Sequence, residues 1–174
     1  MFRRLYPSHY VDSVYDIDFE GLYRQGMRGV IFDIDNTLTK HGAPPTEENK
    51  ILFGKLKKMG MRVLFLSNNK EPRVKMFRDG VDYGEYIYKA GKPGVEGYVR
   101  AMQKMETSIP TTVFVGDQLF TDVWGANKTG IESYLVKPID KHEEVQIVLK
   151  RMLEKPVLAC YKRKCRKEKS RKHE

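Results

Sequence analysis

The stretch Val30-Ile31-Phe32-Asp33-Ile34-Asp35-Asn36-Thr37-Leu38-Thr39 decides the fold. A short apolar run, opened by Gly29, leads into two carboxylates at i and i+2 and then a small polar cluster. Such a run reads as a buried strand ending in a loop. In an open α/β sheet, ligands bind beyond the carboxyl ends of the strands. Two buried acids with no cation between them would repel, and each would be costly to desolvate. The pattern asks for a metal ion, and a magnesium-type ion that takes oxygen ligands suits it.

Strand and helix patterns alternate outward from this stretch. Residues 1–27 are expected as a lead-in packing on the core, with Asp18 capping a short helix. Arg28 to Ile34 is the first expected strand. Thr46 is a natural N-cap for a helix carrying Leu52, Leu56 and Met59, and Gly60 suits its C-terminal end. Met61 to Leu66 is a second strand, ending in Ser67-Asn68-Asn69. A helix about Pro72 to Arg78 and a short strand Tyr86–Tyr88 follow. Gly91-Lys92-Pro93-Gly94 opens a helix with Tyr98, Met102 and Met105 on one face. Thr112 to Val115 is a further buried strand, closed by Gly116-Asp117. A helix from about Leu119 to Lys128 and a strand from Ile131 to Val136 come next. Asp140 and Glu143 look like a capping box for a last helix with Val145, Val148, Leu149, Met152 and Leu153 on its apolar face. This alternation predicts a Rossmann-like α/β domain, a central parallel sheet with helices on both faces.

The chain has 174 residues and a net charge of +9. From Cys160 to Glu174, eight Lys or Arg stand against two Glu, a net of +6, so the rest of the chain carries only +3. The basicity belongs to a C-terminal tail with too few apolar residues to pack. The expected division is a lead-in (1–27), an α/β domain (28–156) and the tail (157–174). No apolar run reaches transmembrane length, and no secretory signal is visible. The expected location is cytoplasmic, with peripheral contact at the inner membrane surface. Cys160 and Cys165 lack partners at zinc-site spacing and read as incidental thiols. His9, His142 and His173 read as structural or solvated, and His41 lies near the active loop.

Four strand ends carry suggestive residues: Asp33 and Asp35, then Ser67, then Lys92, then Asp117 with Asp122 five residues on. Each alone reads as a cap, a turn or a solvated loop residue. In this order they resemble the four motifs of the haloacid dehalogenase-like (HAD) superfamily: Asp-x-Asp-x-Thr, a Ser after an apolar strand, a Lys before a helix, and Gly-Asp-x-x-x-x-Asp. The resemblance implies a phosphatase in which Asp33 is the nucleophile and Asp35 the general acid/base. It implies a Mg²⁺ held by the Asp33 carboxylate, the Asp35 backbone carbonyl and Asp117, with Asp122 orienting them from behind or making an outer contact to the metal. Ser67 and Lys92 would bind phosphate oxygens, with Thr37 and Asn68 as supporting phosphate contacts.

The intervals from Asp33 to Ser67 (34 residues) and from Ser67 to Lys92 (25 residues) leave no room for the cap domains that the superfamily inserts there. An uncapped site suits a bulky substrate, or a neighbouring subunit that covers it. The Asp-Asn-Thr-Leu, Ser-Asn-Asn, Gly-Lys-Pro and Gly-Asp-Gln-x-x-Thr-Asp segments resemble the YqeG-like branch of subfamily IIIA, similar to the mitochondrial phosphatidylglycerophosphate phosphatases. That implies a phospholipid headgroup monoester as substrate, with the tail meeting an anionic membrane. The alternatives are a phosphatase acting on a protein or nucleic-acid phosphate, and a non-catalytic RNA- or ribosome-associated role through the tail.

Overall fold

The computed structural model describes residues 2–140 and 145–171. Six strands form one sheet: β1 (His9–Val11), β2 (Gly29–Phe32), β3 (Arg62–Leu66), β4 (Glu85–Ile87), β5 (Thr112–Gly116) and β6 (Glu132–Val136). Their order is β1-β6-β5-β2-β3-β4, and every neighbouring pair is parallel. The helices are α1 (Phe19–Arg24), α2 (Glu47–Met59), α3 (Glu71–Val81), α4 (Glu96–Met105), α5 (Trp124–Thr129) and α6 (Val145–Arg171). The architecture is the expected α/β one. All residues between Asp33 and Lys92 are described, and their elements are α2, β3, α3 and β4, so no cap domain interrupts them.

The apolar run of β2 is buried on both faces because consecutive side chains point to opposite sides of the sheet. Val30 and Phe32 join Phe53, Phe65, Phe77, Val113 and Val115 on one face, while Ile31 joins Leu64, Phe114, Tyr98 and Met102 on the other. On the first face four phenylalanines pack largely edge-on, with Phe53 and Phe65 ring centroids 5.1 Å apart and Phe65 and Phe77 5.3 Å apart. Such contacts add about 0.5–1.5 kcal/mol per pair beyond burial.

From β2 the chain winds outward through β3 and β4, then crosses back to β5 and continues through β6. Strand order therefore reverses between β2 and β5, the position where open α/β sheets hold ligands. Parallel pairing sends the ends of β2, β3 and β5 to one edge, so Asp33, Ser67 and Asp117 converge without any long loop.

The lead-in does more than pack on the core: its residues 9–11 are the outer strand β1, paired with β6 at Tyr10↔Leu135. Three residues with a mixed burial pattern leave too little periodicity to read as a strand beforehand. The tail also differs from expectation. Helix α6 runs through the anticipated boundary at 156/157 as far as Arg171, with Pro156 inside it. Its expected apolar positions Met152 and Leu153 are exposed, while Glu154 and Val157 are buried. The expected Asp140–Glu143 capping pair lies partly outside the described residues.

Helix α2 fixes the loop after β2. Thr46 and Asn49 form a reciprocal capping box, and Gly60 ends the helix in the left-handed region at φ 79°. Asn49, fully buried, also donates from Nδ2 to the Leu38 carbonyl and the Tyr15 hydroxyl, each at 2.9 Å. Replacing Asn49 by Ala strands a buried carbonyl in the active-site loop and removes half of the cap. The expected cost is about 1–3 kcal/mol, read as a lowered midpoint in urea with an unchanged slope.

Candidate active site

Asp33 extends the ladder of β2, its amide donating to the Val115 carbonyl at 2.9 Å. The chain then turns sharply. Asn36 sits in the left-handed region at φ 63°, its amide donating to the Thr39 carbonyl at 2.7 Å. Asparagine tolerates that conformation better than other side chains bearing a Cβ. The turn returns the Thr37 hydroxyl to the base of the site, 3.3 Å from Asp33 Oδ2 and 3.1 Å from Asp117 Oδ1.

Lys92 enters from the far side of the sheet edge. Its ammonium lies 2.5 Å from Asp33 Oδ1 and 2.7 Å from Asp122 Oδ1, and all three groups are buried. Burial pushes the Lys92 ammonium down, but Asp122 and Asp33 outweigh it and hold the group well above its ordinary value. Burial pushes the Asp33 carboxyl up, Lys92 opposes this, and Asp122 adds to it, with the result near about 6. One ammonium among several acids leaves Asp33 short of positive charge. Carboxylate oxygens of Asp33, Asp117 and Asp122 all lie within 4.8 Å of one another. An all-oxygen, cation-deficient set of this kind fits a hard divalent ion such as Mg²⁺. Asp122, expected as an orienting residue or an outer metal contact, has its carboxylate inside this cluster; the Asp35 side chain is not part of it.

Asp35 faces elsewhere. Arg73 of α3 reaches its Oδ1 from Nη2 at 2.8 Å and Nε at 3.2 Å, a side-on fork. Asn69 donates to Oδ2 at 2.6 Å and the Gly42 amide to Oδ1 at 2.9 Å, while His41 Nδ1 stands 3.9 Å from Oδ1. Arg73 and Asn69 were not among the expected site residues. Asn69 lay next to a motif serine, but nothing in the sequence marks Arg73 except its place in the first turn of a helix.

Ser67 is buried, and its hydroxyl accepts from the Asn69 amide at 3.1 Å. Asn68 spends its amide on the Lys92 backbone, donating to the carbonyl at 3.1 Å and accepting from the N–H at 2.8 Å. Expected as a phosphate contact, it sits instead as a clamp on the loop that delivers Lys92. Asp33, Asp35, Ser67, Asn68 and Lys92 line one cavity of ≈ 250 Å³, joined by Asn36, His41, Asn69, Gln118 and Thr121.

The segment after Asp117 is not the plain helix expected from Leu119. Leu119–Val123 is a π-helical turn that passes into α5. It brings Asp122 back under Gly116, where a Cβ would stand 2.6 Å from Asp122 Oδ2. Only glycine at 116 lets that carboxylate approach Lys92. The turn is held at both ends. The buried Tyr98 hydroxyl lies 3.1 Å from the carbonyls of both Thr121 and Asp122, and Glu154 of α6 accepts from the Leu119 amide at 2.7 Å.

Residues 89–146 match a family model described as HAD-hydrolase-like. The chain is 35% identical over 159 residues to the "Probable phosphatase YqeG" of Bacillus subtilis, covering 91% of this chain and 92% of that protein. It is 29% identical to the chloroplastic/mitochondrial phosphatidylglycerophosphate phosphatase 1 of Arabidopsis thaliana, covering 92% of this chain but only 48% of the relative. Among solved structures, the cobalt-bound deoxy-D-mannose-octulosonate 8-phosphate phosphatase YrbI of Haemophilus influenzae superposes with a TM-score of 0.51 at 12% identity, over 79% of this chain and 90% of that one. A 3-deoxy-D-manno-octulosonate 8-phosphate phosphatase from Yersinia pestis gives 0.54 at 10%, over 68% and 69%. At such identities the likeness is one of fold.

The raised Asp33 carboxyl has a consequence for stability. A group whose folded pKa exceeds its unfolded value stabilises the fold fully below the unfolded pKa and loses that contribution as pH rises through the folded one. For Asp33 the window runs from 3.8 to about 6. Without divalent cation, Asp33→Asn is expected to match the wild type near pH 4 and to exceed it at pH 7.5, by on the order of 2 kcal/mol. Denaturant melts of both proteins at the two pH values, in EDTA, check this.

Proposed function

The chain belongs to the YqeG-like family of HAD phosphatases, and from that premise we propose a Mg²⁺-dependent phosphomonoesterase working through an aspartyl-phosphate on Asp33. The observation that carries this reading is the buried Lys92 ammonium spanning Asp33 and Asp122, with Asp117 alongside, where Asp33 and Lys92 line a cavity shared with Asp35 and Ser67.

Asp33, Asp117 and Asp122 supply the oxygen set for the ion, together with the Asp35 backbone carbonyl expected from the motif. When bound, the ion neutralises carboxylate and phosphoryl charge. The remaining steps belong to the protein. Lys92 and the Ser67 hydroxyl receive the phosphoryl oxygens, and Asn68 holds Lys92 in place. An Asp33 carboxylate oxygen attacks phosphorus, and the P–O bond to the leaving alcohol breaks. Asp35 delivers a proton to that alkoxide. It then takes a proton from the water that attacks the phosphoryl-aspartate, releasing phosphate and restoring Asp33. Arg73 and Asn69 fix the orientation of Asp35, and misplacement by 1 Å can cost about 10²-fold in rate.

For the substrate we propose a phospholipid headgroup monoester such as phosphatidylglycerophosphate. In support stand the uncovered site, the similarity to the Arabidopsis enzyme, and the cations Arg163, Arg166 and Lys167 on the distal part of α6. Near an anionic leaflet each such cation contributes roughly 1 kcal/mol. No helix among the described residues is long and apolar enough to cross a membrane, so contact would be peripheral.

Release of phosphate from an aryl phosphate is expected to require Mg²⁺, to stop in EDTA, and to fall at least about 10³-fold in Asp33→Asn. Activity surviving either change would overturn the mechanism. Compared in mixed micelles, the lipid phosphate should exceed nucleotide, sugar and phosphopeptide substrates in kcat/KM. A soluble metabolite preferred by orders of magnitude would redirect the assignment.

A further inference from the structure

Glu154 is the only acidic residue between Val145 and Lys167, in a stretch otherwise rich in Lys and Arg. It is nonetheless buried, only 3% exposed. Its carboxylate faces the first amides of the π-helical turn, accepting from Leu119 at 2.7 Å and from Phe120 at a longer 3.4 Å. The first amides of any helical turn have no partner within the turn, and an anionic acceptor there also meets the positive end of the local dipoles. One turn further along α6, Val157 is buried with Leu119, Val123 and Leu135. Glu154 and Val157 thus dock α6 on the turn that separates Asp117 from Asp122.

The Gln118 amide goes to Asp122 Oδ2 at 3.1 Å, so the Asp122 carboxylate itself takes part in the local fold. At the carbonyl end the Tyr98 hydroxyl serves Thr121 and Asp122. A π turn is an uncommon conformation, often kept at functional sites, and this one sets the separation of two of the three clustered carboxylates. We propose that Glu154 is a positioning residue for Asp117 and Asp122, which makes the proximal part of α6 a working part of the active site. This rests on the reading of those residues as the Mg²⁺ site.

The test uses full-length variants and two readouts. Mg²⁺ affinity is measured by calorimetry and by the fluorescence of Trp124, the chain's single tryptophan, which directly follows the turn. Phosphate release then gives kcat and KM separately. Glu154→Ala is expected to weaken Mg²⁺ binding about 10-fold or more and to lower kcat while KM changes little. Glu154→Gln keeps an acceptor oxygen in place and is expected to restore affinity to within about 3-fold of wild type. Leu22→Ala, a core change in α1, serves as the stability control, lowering the melting temperature without altering Mg²⁺ affinity. The proposal is overturned when folded Glu154→Ala binds Mg²⁺ like the wild type, or when Leu22→Ala weakens it equally. Should Glu154→Ala not fold, Glu154→Asp replaces it: its shorter side chain withdraws the acceptor and must weaken Mg²⁺ more than Glu154→Gln does, and wild-type affinity in both overturns the proposal. A wild-type protein that binds no Mg²⁺ refutes the metal site itself, a separate result.

Discussion

The structure depends on one buried ammonium shared between two carboxylates. Lys92, Asp33 and Asp122 are all largely withdrawn from solvent. Separately, each would be costly to bury; together they form a compact pair of charge-assisted hydrogen bonds at 2.5 and 2.7 Å. Asp117 adds a third carboxylate to the same cluster, its oxygen within 4.8 Å of those of the other two. That crowding of acids, and not the ion pair as such, sets the chemistry of the site. It leaves Asp33 reluctant to ionise alone and leaves the cluster suited to a divalent ion.

Such a concentration of charge is held by an apolar machine. The two-sided core around β2 grips the strand so that Asp33 can project from its end with little freedom. Asn49 pins Leu38 at the far end of the same loop, Asn68 pins Lys92, and Tyr98 and Glu154 pin the 119–123 turn. Asn49, Tyr98 and Glu154 are buried and Asn68 is exposed, and each satisfies backbone groups that the irregular loops leave open. Loops at a sheet edge are otherwise its least ordered part. These polar groups are used on loop backbone, which restrains it.

The sequence shows the parts whose identity is dictated by chemistry. Asp33, Asp35, Ser67, Lys92, Asp117 and Asp122 are legible because reacting and charge-bearing groups admit few replacements and because strand ends fix their spacing. Helix α2 is legible because Thr46 and Gly60 mark its ends and Leu52 and Leu56 its buried face. What could not be read depends on tertiary proximity. Arg73 acquires its place only when α3 lies across the loop carrying Asp35. Strand β1 exists because β6 offers an open edge, not because His9–Val11 favours extension. Nothing in the sequence singles out Glu154, and it is the docking of α6 that buries it. Helical periodicity also misassigned Met152 and Leu153 of α6 to its buried face, since both are exposed.

The two aspartates of the first motif show how local geometry separates roles that composition cannot. At i and i+2 on a continuing strand, both side chains would share one face and compete for one cation. The chain instead leaves β-geometry after Asp33 and turns through the left-handed Asn36. Asp33 then meets Lys92 and Thr37, while Asp35 meets Arg73, Asn69 and the Gly42 amide. Each carboxylate has its own cation and its own donors, yet both open on the same cavity. Pairs of acids in unlike environments can divide nucleophilic from acid-base work. Here the unlike surroundings follow from a single backbone turn, and the donors on either side of it are fixed by different strands: Lys92 beyond β4, Arg73 and Asn69 beyond β3. Widening or closing the gap between those strands would change one aspartate's surroundings without touching the other's, so the parallel sheet that gathers the site also keeps its two acids distinct.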